Sequence, residues 1–481
     1  MNYKLVCKLL GMILCIEAAC MLPSLGIAAA TGDGDVAGFA LSMALCAVLG
    51  GLLYHLKTGG AKMQPRDGFA IVALGWLLLS AFGALPYVFS GAIPNYIDAF
   101  FETVSGFTTT GASVLTEIES LPRGILFWRA FTQWMGGMGV LVLTLALLPK
   151  IGEGSIYLMK AESPGPAVSK LTPRVRDTAK LLYAIYFGLT IVEVICLCLA
   201  GMPLFDALTN SFTTISTGGF CIRNTSVAAY GSELINWIII LFMFLSGINF
   251  AVLFAALCGR FHDVFHSDEL RLYTGIAVGA TLLISFNLFV QRGVAFTESV
   301  SEAAFQVVSL MTTTGFVTAD YDLWPTFAQT VLILVMLAGA CAGSTAGGVK
   351  SIRLVLLLKS ERRELRKVLH PREVHVIRAD GHKVEEDTLV SVQLFFFAYM
   401  LILLVATLIV AWDDIGFTGA FSATLTSISN VGPGLGAVGP TDNFSILSPL
   451  SKVVLSICML LGRLEILPIL VLLFPSLWKK K

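Results

Sequence analysis

Ten stretches of this chain are apolar and long enough to cross a bilayer, which takes roughly 20 residues of helix. They lie at about 8–30, 36–56, 68–90, 125–149, 180–201, 233–258, 272–292, 327–349, 388–412 and 450–474. Nothing else constrains the fold as strongly, because lipid offers the backbone no hydrogen-bond partner and a spanning segment must satisfy its own peptide groups. Only 13% of the 481 residues are charged and the mean hydropathy is +0.82, against about 25% charged in a soluble domain. The expectation is an all-α polytopic membrane protein.

Four shorter apolar pieces, 97–107, 204–215, 298–311 and 417–428, cannot cross. Each runs into small polar residues and glycine: "FTTTGAS" from 107, "ISTGGF" from 215, "TTTGFV" from 312 and "SNVGPG" from 429. A long span follows each. The unit is therefore long helix, short helix, glycine turn, long helix, repeated four times after two leading spans. This divides the chain into two leading transmembrane helices (1–67), repeats at 68–150, 151–260 and 261–358, a basic loop (359–387) and a fourth repeat (388–481). With Gly111, Gly218, Gly315 and Gly432 as register marks, the spacings are 107, 97 and 117. Twelve residues before the marks stand Ala99, Asp206, Ala303 and Ala420; six before stand Ser105, Phe212, Ser309 and Thr426.

Non-helical backbone at membrane depth survives only where protein buries it or water fills a cavity beside it. Four such turns in equivalent positions predict a ring around one axis with carbonyls facing inward, as in an ion filter. Glycine suits this because it adopts positive φ cheaply, and the short helices aim the negative ends of their dipoles at the turns. Asp98, Asp206 and Glu302 are expected to cap the short helices, with Thr418 in the fourth. Small-residue packing at helix crossings is the other reading of the same motifs.

If the N-terminus is cytoplasmic, the inside segments hold 26 of the 32 Lys and Arg residues, as the positive-inside rule requires. Both termini are then cytoplasmic and the glycine turns open outward. A cleaved signal peptide ending near "GIAAATG" is the rival reading of the first span, but Glu17 interrupts its apolar stretch. Zero net charge argues against nucleic acid. The ten cysteines and six histidines show no metal-ligand spacing, and no nucleophile elbow or His–carboxylate constellation suggests an enzyme.

The arrangement resembles the Trk/Ktr/HKT superfamily of potassium transporters from about residue 68 onward, and its two leading spans resemble the bacterial TrkH branch. "AGSTAGGVKSIR" and "GRLEI" read like that branch too. The resemblance makes Gly111, Gly218, Gly315 and Gly432 filter glycines for potassium, with Thr109, Thr110, Ser216, Thr217, Thr313, Thr314, Asn430 and Val431 beside them. Glycine in the first repeat favours potassium, since serine there accompanies sodium preference in some plant relatives. The family's fold implies a homodimer in the bacterial inner membrane, no covalent cofactor, and a separate cytoplasmic nucleotide-binding regulatory subunit (TrkA-like).

Below the filter, Gly339, Gly343, Gly347 and Gly348 interrupt the span 327–349, at roughly 1 kcal/mol each against a continuous helix. The resemblance implies that they and Lys350 belong to a gating loop; tight small-residue packing is the alternative. Arg463 sits mid-span, where a charge costs at least about 2.5–3.5 kcal/mol, so it faces water or a partner. Glu465, about 200° around a helix from it, is not its natural partner. Arg129 and Gln133 are expected to pair with neighbouring helices, and Glu117, Glu119, Asp320, Asp322 and Asp442 to gather cations at the mouth. The basic segment 359–387 either docks the regulatory subunit or serves topology alone. Passive conduction is the leading mechanism; coupling to protons or sodium through broken helices is the second.

Overall fold

The computed structural model describes residues 1–57, 63–139, 175–372, 375–466 and 469–470. Part of the basic segment 150–180 and the terminal Lys479, Lys480 and Lys481 lie outside them. The two leading spans are Tyr3–Thr31, with a slight break at Met21, and Val36–Tyr54. They cross through glycine: a Cβ on Gly50 would stand 2.8 Å from the Gly11 carbonyl oxygen, the close approach that small residues permit. Glu17 is buried where this pair meets the rest of the protein, so the first span packs as part of the fold.

Each repeat then supplies a first helix, a short helix, a turn and a second helix. The first helices are Arg66–Phe89, Val175–Leu199, Asp268–Arg292 and Glu386–Val410. The short ones are Tyr96–Phe107, Leu204–Ile215, Phe296–Met311 and Gly416–Ser429, and the second ones Arg123–Gly137, Glu233–Ser246, Thr326–Ala338 and Pro449–Arg463. Among the described residues, six helices are long and apolar enough to cross a membrane, or seven with one bent pair.

The shortfall against ten uninterrupted spans lies in the second helices. At 13 to 15 residues they reach about 20–22 Å, less than a hydrocarbon core of about 30 Å. The first stops at Gly137, and 140–149 of its expected span lie outside the described residues. The second turns by 104° between Ser246 and Phe250 and continues as Phe250–Leu257. The third leaves helix at Gly339 and resumes as Ser351–Leu369. The fourth ends at Arg463, with Glu465 and Ile466 left-handed at φ 58° and 62°. Glycine packing accompanies three of these breaks: a Cβ on Gly136 would strike the Phe107 carbonyl, one on Gly247 would stand 2.9 Å from Thr312 Cγ2, and one on Gly462 2.7 Å from Asn430 Oδ1. In these three the backbone is drawn against the ends of the short helices, and regular helix gives way there.

The expected carboxylate caps are not made. Asn95 caps the first short helix by accepting from the Ile97 amide. Asp98 instead accepts from Lys452 Nζ at 2.7 Å, and Asp206 from the Tyr230 hydroxyl at 3.0 Å. Glu302 lies well inside its helix, and Thr418 sits within a short helix preceded by Ile415 with no side-chain cap. The Lys452 ammonium, 7% exposed, ties the second helix of repeat 4 to the short helix of repeat 1. Lys452→Met is expected to cost about 1–3 kcal/mol, read as a lower unfolding midpoint in detergent that Asp98→Asn partly restores. An unchanged midpoint contradicts this role.

Candidate functional site

At each turn two residues are left-handed with one between them that is not. Thr109, Thr217, Thr313 and Asn430 have φ of 55°, 54°, 58° and 57°, and Gly111, Gly219, Gly315 and Gly432 have φ of 83°, 76°, 78° and 100°. Such alternation of handedness turns successive peptide planes so that their carbonyls share one side. The intervening residues, Thr110, Gly218, Thr314 and Val431, each donate an amide to the short helix behind, at Ser105, Thr213, Ser309 and Thr426, over 2.8 to 2.9 Å.

This geometry corrects the register of the second repeat. Gly219, not Gly218, is equivalent to Gly111, Gly315 and Gly432, while Gly218 occupies the place of Thr110. Ser216 falls back to the cap of the short helix, beside Thr108 and Thr312 in the other repeats. With Gly219 as the mark, position minus twelve reads Ala99, Ala207, Ala303 and Ala420, all fully buried. Position minus six reads Ser105, Thr213, Ser309 and Thr426. The repeat is sharper than the first alignment suggested.

The four turns form a closed ring. A Cβ on Gly111 would strike the carbonyl oxygen of Gly218, one on Gly219 that of Thr314, one on Gly315 that of Val431, and one on Gly432 that of Thr110. Each left-handed glycine thus abuts the middle carbonyl of the next repeat, and the fourth returns to the first. Both φ and contact require glycine there.

A second set of side chains braces the ring from behind. Nine residues before the marks stand Glu102, Asn210, Gln306 and Ala423. Glu102 accepts the Val114 amide at 2.9 Å and an Arg129 Nε–H at 2.6 Å, while Arg129 donates to the Cys221 carbonyl at 2.9 Å. Asn210 meets Cys221 Sγ at 3.5 Å, and Gln306 meets Thr318 Oγ1 at 3.3 Å. Gln133 donates to the Gly218 carbonyl at 2.7 Å and accepts the Phe220 amide at 3.0 Å. It fills the space that a side chain at 218 would take. Arg129 and Gln133 do pair beyond their own helix, and what they hold is the turn of repeats 1 and 2.

On one side of the ring lies a polar mouth bordered by Ala112, Ser113, Phe220, Pro433 and Asp442. Of the expected mouth carboxylates, Glu119 lies 3.6 Å from Arg223, which also reaches Asp206 at 3.4 Å. Asp320 accepts the Asp322 amide, and Asp322 accepts the Gly436 amide at 3.0 Å. Burial pushes the Asp322 carboxyl above its usual range, against the Gly436 hydrogen bond that lowers it. These groups are engaged in holding loops.

On the other side, residues 339–350 run without helix directly beneath the ring, with Gly339, Gly343, Gly348 and Lys350 at positive φ. The Gly347 amide donates to Thr313 Oγ1 at 2.7 Å, and Thr345 Oγ1 to the Ile215 carbonyl at 3.1 Å. Lys350 Nζ donates to the Ala346 carbonyl. Arg463 donates to the carbonyls of Thr345 at 2.7 Å, Gly136 at 2.6 Å and Gly137 at 2.5 Å. Its guanidinium therefore joins the loop to the end of the second helix of repeat 1. Glu465 pairs with Arg353 at 2.5 Å; the backbone has left helical geometry there, so the angular argument against an Arg463 pair does not apply.

The chain matches the family model described as TrkH, cation transport protein, over residues 37–480. It is 39% identical, over 100% of both chains, to the Trk system potassium uptake protein TrkH of Salmonella typhimurium. It is 34% identical to the Trk system potassium uptake protein TrkG of Escherichia coli, over 99% of each. Its fold is similar to the crystal structure of the potassium transporter TrkH from Vibrio parahaemolyticus, with a TM-score of 0.88 and 35% identity over 100% of both chains.

The register assignment separates two adjacent glycines. Gly218→Ala meets only the movable Gln133 amide, whereas Gly219→Ala meets backbone and adds a left-handed alanine, costing about 1–2 kcal/mol. Ion discrimination is expected to fall in Gly219→Ala and stay low when Gln133→Ala is added, while Gln133→Ala relieves Gly218→Ala. Flux ratios measured in liposomes check this; the opposite pattern of relief restores the original register.

Proposed function

We propose that this chain, which belongs to the TrkH family of cation transport proteins, takes up potassium across the bacterial plasma membrane through one channel-like pore. The observation that carries the reading is the closed cycle of glycine-to-carbonyl contacts around four turns. A dehydrated cation entering that ring exchanges water for the carbonyl oxygens of Thr110, Gly218, Thr314 and Val431 and their neighbours at Thr109, Thr217, Thr313 and Asn430. The short helices add partial negative charge from their C-terminal ends. No covalent chemistry is involved, and potassium is cargo.

The loop 339–350 and Arg463 form the barrier. The loop lies under the ring, held to it through Thr313 and Thr345. Arg463 places a fixed positive charge below a cation leaving the ring, and its carbonyl bonds keep it there. Conduction follows when the loop swings aside. Replacing Gly111 or Gly315 with serine narrows the ring and lowers potassium-over-sodium discrimination. Arg463→Ala is expected to raise basal potassium flux on the order of tenfold with discrimination retained; equal or lower flux from monodisperse protein in liposomes contradicts the barrier.

A cytoplasmic nucleotide-binding regulatory subunit docks, in this reading, on the helix Ser351–Leu369 of a homodimeric transporter with both termini in the cytoplasm. Arg363 and Lys367 are engaged with Glu386 and Glu364, so the exposed Arg362 and Arg366 carry the contact. Neutralising these two is expected to weaken capture of the subunit, as added salt does. Capture indifferent to both leaves the basic segment with topology alone.

A further inference from the structure

The loop beneath the ring is tied at its base by one carboxylate that the function above does not use. Glu269, 5% exposed, is the second residue of Asp268–Arg292. Its Oε1 accepts the Ala342 amide at 2.6 Å and the Ile352 amide at 3.0 Å. The Ala342 amide lies in the loop and the Ile352 amide in the first turn of the helix that follows it, and the two segments are also joined by the Ser351 amide to the Ala340 carbonyl at 2.9 Å and by Ser351 Oγ to the Gly339 carbonyl at 3.0 Å. Two further backbone bonds of the loop run to the bend of repeat 2: the Cys341 amide donates to the Gly247 carbonyl and the Phe250 amide to the Gly343 carbonyl. Among these ties, Glu269 supplies the carboxylate, one oxygen of which accepts from both the loop and the helix that follows it.

The preceding residue faces the opposite task. Asp268 Oδ2 accepts Lys359 Nζ at 2.6 Å and the Asp380 amide at 3.3 Å, and the Asp268 amide donates to Asp380 Oδ1 at 2.7 Å. Lys359 also donates to the Arg378 carbonyl at 2.8 Å. Two adjacent acids in the first turn of one helix thus hold the loop on one side and the hairpin 378–383 on the other.

We propose that Glu269 is the positioning residue that latches the loop closed, and that Asp268 makes the hairpin 378–383 the element whose displacement loosens that latch. The proposal rests on the reading of 339–350 as the gate. Loss of both bonds predicts that Glu269→Ala raises basal potassium flux about tenfold or more, with the potassium-to-sodium ratio unchanged. Glu269→Gln keeps an acceptor without charge, so a smaller rise of about two- to threefold is expected. Asp268→Asn and Asp380→Ala move flux in the same direction.

The test measures rubidium uptake by the full chain in liposomes, with hydrogen exchange at the amides of 340–352 on the same preparations. The comparison variant has the loop shortened within 339–348. Flux rising in the order wild type, Gln, Ala, with faster exchange at Ala342 and Ile352, supports the latch. Flux and exchange unchanged in the Gln and Ala variants, while the shortened loop alters flux, overturns the latch and leaves the gate standing. If the shortened loop also leaves flux unchanged, both fall.

Discussion

Four turns of irregular backbone stand at membrane depth, where lipid offers no solvent to satisfy their carbonyls. The ring resolves this by closing on itself. Each left-handed glycine lies against the middle carbonyl of the next repeat, so each turn is covered by its neighbour. The rest of the structure follows from that closure: short helices that end at the ring, buried polar side chains behind it, and second helices that break where they meet it.

Left-handed conformation in a residue other than glycine costs roughly 1–2 kcal/mol, and the ring takes this cost at Thr109, Thr217, Thr313 and Asn430. Hydrogen bonds offset it locally. Thr217 Oγ1 meets Thr345 Oγ1 at 3.2 Å, Thr313 Oγ1 accepts from Gly347, and Asn430 Nδ2 donates to Thr110 Oγ1 and the Met459 carbonyl, each at 2.9 Å. The strained positions of repeats 2 and 3 are thus bonded to the loop beneath, which couples the conformation of the ring to the position of the loop. Arg463 adds the link to repeat 1. A movement of the loop cannot leave the lower layer of the ring indifferent.

Much of this was legible in the residues. Apolar length located the leading spans and the first helices, because lipid imposes helix on them. The short pieces and their glycine turns stood out because nothing but a buried, lined cavity tolerates them. The register of repeat 2 was not legible: "ISTGGF" offers two glycines, and only the sign of φ separates Gly218 from Gly219. The bend at Gly247 was missed because one glycine in an apolar run usually leaves a helix intact. Its cause is the short helix Phe296–Met311 and the Tyr273 hydroxyl pressing on it, a contact distant in sequence. Glu102, Asn210 and Gln306 were findable once the register was right. Glu269 was not, since its partners are backbone amides 73 and 83 residues away.

In the proposed reading, one ion site lies on the axis of these four turns, enclosed by the carbonyls of Thr110, Gly218, Thr314 and Val431. Anomalous diffraction from crystals grown in rubidium, a potassium surrogate, addresses it most directly. An anomalous peak on that axis within the ring, fading when rubidium is exchanged for sodium, is the expected result. Rubidium bound only away from the axis, or a ring equally occupied in both salts, contradicts it.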